Sequence, residues 1–197
     1  MARLSGLALA LLLAAATAAQ AHTGIGDTNG FAHGFGHPIS GIDHVLAMVA
    51  VGLFAVHLGG RALWLVPAAF VSMMAAGGGL GMAGVSLPFV EIGIGLSVVV
   101  LGIAVAAGCH LPTAAAMTLV GFFAVFHGHA HGAEMPDSMS GFEYGAGFIL
   151  ATAALHAAGI GLGLLIARLS ENRGNRVLRM TGSAMALAGI GILVGYL

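Results

Sequence analysis

Six long hydrophobic blocks follow one another along the chain, separated by short polar or Gly/Pro-rich breaks. They occupy residues 38–57, 61–82, 87–107, 112–133, 141–167 and 177–196. Each block has about 20 residues, the length of a helix that crosses the hydrocarbon core of a bilayer. A helix also satisfies its own backbone polar groups in lipid. The pattern predicts an all-α polytopic membrane protein, a bundle of six transmembrane helices.

The first 21 residues have the layout of a cleavable secretory signal peptide. Arg3 stands before an apolar run at 7–16, and the small-residue sequence Ala-Gln-Ala precedes His22. This layout is typical of a peptidase site, and the run is short for a membrane span. An uncleaved first helix is the alternative. If the signal peptide is cleaved there, residues 22–197 form the mature transmembrane domain, and His22 is its N-terminus.

The stretch 22–36 is rich in glycine, histidine and polar residues and has no apolar period. It therefore predicts an irregular lead-in on the extracytoplasmic side of the first helix.

The arginines support one orientation of the bundle. An exported N-terminus followed by six spans places both mature termini in the periplasm of a bacterial inner membrane. All five arginines beyond the signal then fall in or beside the inside loops, while the outside segments carry no basic residue. These arginines are Arg61, Arg168, Arg173, Arg176 and Arg179.

The composition makes membrane lipid the main partner. The chain is 59% hydrophobic and 7% charged, with a mean hydropathy of +1.03, which excludes a soluble globular protein. The net charge is −1 and lysine is absent, so nothing indicates nucleic-acid binding. Cys109 is the single cysteine, which excludes an intrachain disulfide. The sequence does not indicate an oligomeric state.

The first polar cluster opens the first predicted helix, with Pro38 in its first turn. His37 and His44 are seven residues apart, so one helix would place them on nearly the same face, about 10 Å apart along its axis. Asp43 would lie more than a turn inside the membrane. A carboxylate there is costly unless it is paired, hydrated or bound to a cation, and this cost points to function.

The second polar cluster ends the fourth predicted helix. His127, His131 and Glu134 occupy positions i, i+4 and i+7 and share one helix face. This spacing predicts half of a metal site. His129 points to another face, and a purely structural role is as good an interpretation for it.

The predicted topology brings both clusters into the outer half of the bilayer, where Glu91 of the third helix falls at the same level. Residues from three helices can therefore converge on one ion site. His156 lies deeper in the predicted bundle. It either forms a second station for the ion or makes a hydrogen bond to another helix. His22 and His33 are candidates for capturing a metal ion before it reaches His37.

The two clusters resemble the signature motifs of the HupE/UreJ family of nickel and cobalt permeases. The first motif is carried by His37, Pro38, Gly41 and the run from Asp43 to Met48. The second motif is carried by Phe126, His127, Gly128, Ala130, His131, Gly132 and Glu134. The resemblance implies a signal peptide and six helices. It also implies a role in supplying nickel for hydrogenase or urease, or cobalt for cobalamin. It implies that the metal-handling residues are His37, Asp43, His44, His127, His131 and Glu134, with Glu91 as a further member.

The sequence thus predicts a secondary permease or facilitator for Ni²⁺ or Co²⁺, not an enzyme, with no permanently bound cofactor. No phosphate-cradling motif is present, so the chain is not expected to hydrolyse ATP. Imidazole and carboxylate ligands also suit Fe²⁺, Cu²⁺ and Zn²⁺. Two alternatives remain: an intramembrane hydrolase with zinc on Asp43, His127 and His131, and a haem-binding electron carrier with axial histidines.

Overall fold

A computed structural model describes residues 30–136, 138–169 and 171–195, and over these ranges the chain forms seven α-helices. The helices are α1 Gly30–Ser40, α2 Ile42–Leu58, α3 Ala62–Met82, α4 Val90–Ala107, α5 Thr113–Ala133, α6 Gly141–Ala167 and α7 Glu171–Leu193. The all-α prediction is therefore confirmed. The predicted signal peptide and His22 lie outside the described residues.

Five helices, α3 to α7, are long and apolar enough to cross a membrane. The pair of α1 and α2 passes the same test when it is taken as one broken span, bent by 81°. The number of candidate spans in the described part of the chain is therefore five, or six with the bent pair.

The first span differs from its prediction. Residues 30–36 are helical, so the prediction of an irregular lead-in is wrong there, and Pro38 lies near the end of α1 rather than in the first turn of a straight helix. The chain breaks at Gly41, whose backbone is extended (φ −90°, ψ 120°), before α2 begins. Ser40 Oγ donates to the His37 carbonyl at 2.7 Å and satisfies one acceptor at this helix end. His37 and His44 thus belong to two helices, and the prediction that they share one face is wrong.

Packing against α6 explains why the glycine-rich start of the chain is helical. Gly34 is buried, and a Cβ atom there would overlap the backbone carbonyl of Tyr144. Because α1 lies directly on the α6 backbone, tertiary contact stabilises a helix that is rich in glycine, a poor helix former.

A similar glycine contact joins α5 to α3. A Cβ atom on Gly128 or Gly132 would overlap the backbone oxygen of Met74 or Gly78, respectively. The two backbones therefore touch, as small residues allow in membrane helices. This contact fixes the end of α5, which carries three histidines.

The bundle has two chemically different ends. One contains the break at Gly41, the ends of α3 and α5, and the starts of α4 and α6; we call it the histidine end. The opposite end contains Arg61, Arg168 and the start of α7; we call it the arginine end.

Candidate metal site

Three residues at the histidine end form a group with metal-ligand geometry. His37 of α1, His131 of α5 and Glu134 at the end of α5 each offer a ligand atom, and these atoms all lie within 4.8 Å of one another. His37 Nε2 and Glu134 Oε2 lie 3.0 Å apart, so the imidazole N–H donates to the carboxylate. The Glu134 side chain is 56% exposed, whereas His131 is buried. We call these three residues the rim group, because they open to the surface at Glu134.

Buried histidines continue the rim group inward. His131 Nε2 lies 3.1 Å from both ring nitrogens of His44. The same Nδ1 of His44 also lies 3.1 Å from Nδ1 of His127. His44 and His127 are 2% and 0% exposed, so the chain of imidazoles runs from the surface into the bundle. Together with the rim group, we call it the histidine cluster.

A buried serine fixes the tautomer of His127. Ser97 Oγ donates its only proton to the carbonyl of Ile94 at 2.6 Å. It therefore accepts from His127, whose Nε2 lies 2.8 Å away. Neutral His127 then keeps its lone pair on Nδ1, aimed at His44. An imidazole held in this way is oriented as metal-binding histidines usually are, with the second ring nitrogen committed to a neighbour.

Sequence reasoning missed Ser97, although a signal was present. It is the only hydroxyl residue in the run 90–107, which is otherwise apolar apart from Glu91. A lone polar residue in such a run is expected to have a partner inside the bundle.

Asp43 lies beside the histidine cluster but serves the backbone. Its Oδ1 accepts from the backbone N–H of His44 at 2.7 Å, in the first turn of α2. A carboxylate there interacts favourably with the start of the helix and holds the position of His44. Among the described residues, Asp43 does not form a three-ligand group with His127 and His131. The arrangement expected of the zinc hydrolase is thus not assembled.

Three further predicted residues lie apart from the rim group. Glu91 is exposed in the first turn of α4. His129 is buried, and its Nε2–H donates to the carbonyl of Val85 at 2.7 Å, which ties α5 to the connection between α3 and α4. His33 is exposed, one turn before His37, with the two rings 6.0 Å apart. A capture role for His22 and His33 stays a prediction.

His156 of α6 is 2% exposed, and neither of its ring nitrogens has a hydrogen-bond partner among the described residues. The helix-to-helix hydrogen bond that the sequence left open is therefore not formed. The His156 ring meets Phe70 edge to face at 5.2 Å.

Aromatic rings surround the histidine cluster and were not predicted. Phe148 lies 4.3 Å from the His131 ring and 5.8 Å from the His44 ring, and Phe70 lies 5.7 Å from the His127 ring. Such walls exclude water from the imidazoles.

Comparison with known proteins places the chain in a family. The model of the family described as HupE / UreJ protein matches residues 9–192. Protein HupE of Rhizobium leguminosarum bv. viciae is 49% identical over 183 residues, which cover 93% of this chain and 94% of that protein. No solved structure matches the chain. The resemblance carried by the two polar clusters is thereby confirmed, and the chain belongs to the HupE/UreJ family of membrane proteins.

Proposed function

We propose that the protein is a secondary permease that moves Ni²⁺ or Co²⁺ across the bacterial inner membrane through the histidine cluster. One observation carries the proposal: His37, His131 and Glu134 bring their ligand atoms within 4.8 Å of one another at the mouth of a buried chain of imidazoles. A site that is open on one side and buried on the other suits an ion in transit.

The donor types support a transition metal as the cargo. Imidazole nitrogens with one carboxylate suit first-row divalent ions such as Ni²⁺ and Co²⁺. Alkaline-earth ions prefer sites made of oxygen ligands. Polar side chains inside a membrane bundle are costly to keep, and an ion that visits them offsets that cost.

The order of the ligands suggests the order of events. Glu134 and His37 meet the ion at the surface, and His131 carries it to His44 and His127. Asp43 contributes by holding the start of α2, which positions His44. Each step exchanges one or two ligands, so the ion is never without donors.

The orientation follows from the arginines. With the arginine end inside, by the positive-inside rule, the histidine end faces the periplasm. The inside-negative potential then contributes about 2.3 kcal/mol per charge per 100 mV, and about twice that for a divalent ion. This suffices for inward flow without ATP.

Uptake of ⁶³Ni²⁺ or Co²⁺ into liposomes that contain the purified protein tests the proposal. His131→Ala removes the ligand that links the rim group to the buried imidazoles, and we expect uptake to fall by at least about tenfold. Thr118→Ala is the matched control, because Thr118 lies on the same helix, is exposed and bonds only within the helix. Equal uptake by the two variants at equal protein abundance would refute the proposed function.

A further inference from the structure

A second group of donors begins beside the histidine cluster and extends deeper into the bundle at His156. It consists of His156, Thr152 and Met74, which are 2%, 0% and 0% exposed. Thr152 Oγ1 donates to Met74 Sδ at 3.5 Å. We call these three residues the deep group.

Helix periodicity places the three side chains in two neighbouring layers on facing helices. Thr152 and His156 lie one turn apart on α6, and Met74 and Phe70 lie one turn apart on α3. Thr152 contacts Met74, and one turn away His156 contacts Phe70. Two contacts at matching positions show that these faces of α3 and α6 lie against each other.

The backbone of α2 gives the depth of His156. A Cβ atom on Gly52 would come within 2.5 Å of the His156 carbonyl oxygen and 2.7 Å of Ile160 N, so Gly52 is level with the turn of α6 that starts at His156. Gly52 follows His44 by eight residues, about 12 Å farther along α2. His156 therefore lies about one to two turns below His44, whereas Met74 lies at the level of Gly128, beside His127. The Phe70 ring contacts both His127 and His156, and so lies between the two groups.

The deep group is unusual because its polar atoms are poorly satisfied. Both ring nitrogens of His156 lack a partner in the described part of the chain, and a buried polar atom without a partner is destabilising. Thr152 gives its proton to a thioether, a weak acceptor. A helical threonine commonly bonds the carbonyl one turn earlier instead, as Thr118 and Thr181 do. These donors are therefore available to a ligand.

We propose that the deep group is a second coordination station for the transported ion and discriminates against Mg²⁺ and Ca²⁺. This inference rests on the proposed function. The Glu134 carboxylate at the rim attracts any divalent cation, whereas the deep group offers nitrogen, thioether sulfur and a hydroxyl without a carboxylate. Hard cations need several oxygen ligands and lose their hydration there without replacement. Borderline ions such as Ni²⁺ and Co²⁺ accept nitrogen and sulfur donors.

Transport by variants that lack the donor atoms but keep a similar side-chain volume tests the station. His156→Phe removes the imidazole, and the double variant Thr152→Val with Met74→Leu removes the hydroxyl and the sulfur at nearly constant volume. Leu155→Ala is the control for altered packing, because Leu155 is partly buried in the same turn of α6 and offers no donor. The initial rate of ⁶³Ni²⁺ uptake is measured against Ni²⁺ concentration, and Co²⁺ binding to the purified protein is followed by its absorption spectrum.

We expect His156→Phe to lower the maximal rate at least about tenfold, with the half-saturating concentration and the Co²⁺ spectrum of the rim group unchanged. The double variant is expected to lower the rate several-fold. His156→Asp is expected to admit Mg²⁺ or Ca²⁺, against which the unaltered deep group discriminates in this proposal. A merely structural role of His156 would not predict the changed ion preference of His156→Asp.

Two results separate the station from the proposed function. The station is refuted if His156→Phe and the double variant both transport at the rate of Leu155→Ala, while His131→Ala still abolishes uptake. If His131→Ala transports normally, or the unaltered protein moves no Ni²⁺, the proposed function is refuted. The station, which depends on that function, is then refuted as well. If His156→Phe does not accumulate in membranes, the nearly isosteric double variant decides the question.

Discussion

Ser97→Ala tests the orientation of His127 without touching a proposed metal ligand. The substitution removes the hydroxyl that accepts from His127 Nε2 at 2.8 Å and donates to Ile94 O at 2.6 Å. His127 is fully buried, so its N–H is left without a partner at a cost of about 1–3 kcal/mol. Without that partner the ring no longer favours the tautomer that aims the Nδ1 lone pair at His44.

The expected effect on metal binding follows from the same contact. Loss of a residue that orients a metal-binding histidine typically weakens affinity by about 10–100-fold. At about 1.4 kcal/mol per tenfold, this corresponds to roughly 1.4–2.7 kcal/mol of binding free energy.

The assay is a Co²⁺ titration of the purified protein, followed by absorbance, together with its thermal midpoint. Ser183→Ala is the control, because Ser183 Oγ also donates to a carbonyl of its own helix but lies exposed on α7. We expect Ser97→Ala to weaken Co²⁺ binding at least about tenfold. An affinity within a factor of two of the Ser183→Ala protein would refute the orienting role.

Three further substitutions separate packing from metal handling. Gly128→Ala is expected to cost about 1–3 kcal/mol and lower the thermal midpoint, because its Cβ meets the α3 backbone; Gly145→Ala, with open space around it, is the control and is expected not to destabilise. Equal midpoints would contradict the close packing. Glu134→Gln is expected to raise the half-saturating Ni²⁺ concentration while the maximal uptake rate is kept, and unchanged saturation would count against the rim carboxylate. His129→Leu is expected to lower stability by about 1 kcal/mol, through loss of its bond to Val85, with unchanged Co²⁺ affinity; lost affinity would make His129 a ligand.

The sequence predicted the all-α class because long apolar blocks in a nearly uncharged chain have few other solutions. It also identified the histidines that the structure brings together. His127 and His131 lie one turn apart on α5, and helical spacing alone relates them. What the spacing does not show is their partner on another helix. The contact of His131 with both ring nitrogens of His44 depends on how α2 and α5 pack.

The break at Gly41 is the feature that spacing could not predict. A straight helix would have held His37 about 10 Å from His44 on the same face. The observed bend of 81° instead turns α1 across the histidine end, where His37 reaches Glu134. This geometry arises because Gly34 lets α1 lie on the α6 backbone, a contact between segments that are distant in sequence. The helical structure of the glycine-rich residues 30–36 has the same origin.

The order of donors along the proposed path accounts for both capture and release of an ion. Glu134 supplies formal negative charge where the ion first loses water, and its side chain is half exposed, so binding there stays reversible. Farther in, His44, His127 and His156 offer neutral imidazoles, which hold a divalent ion less tightly than a buried carboxylate would. In the described part of the chain, an ion that had passed His127 would meet no buried carboxylate before the arginine end, and the membrane potential would favour its forward movement. A carboxylate at the level of His156 would bind more tightly and transport more slowly, which is why the donors of the deep group suit passage rather than storage.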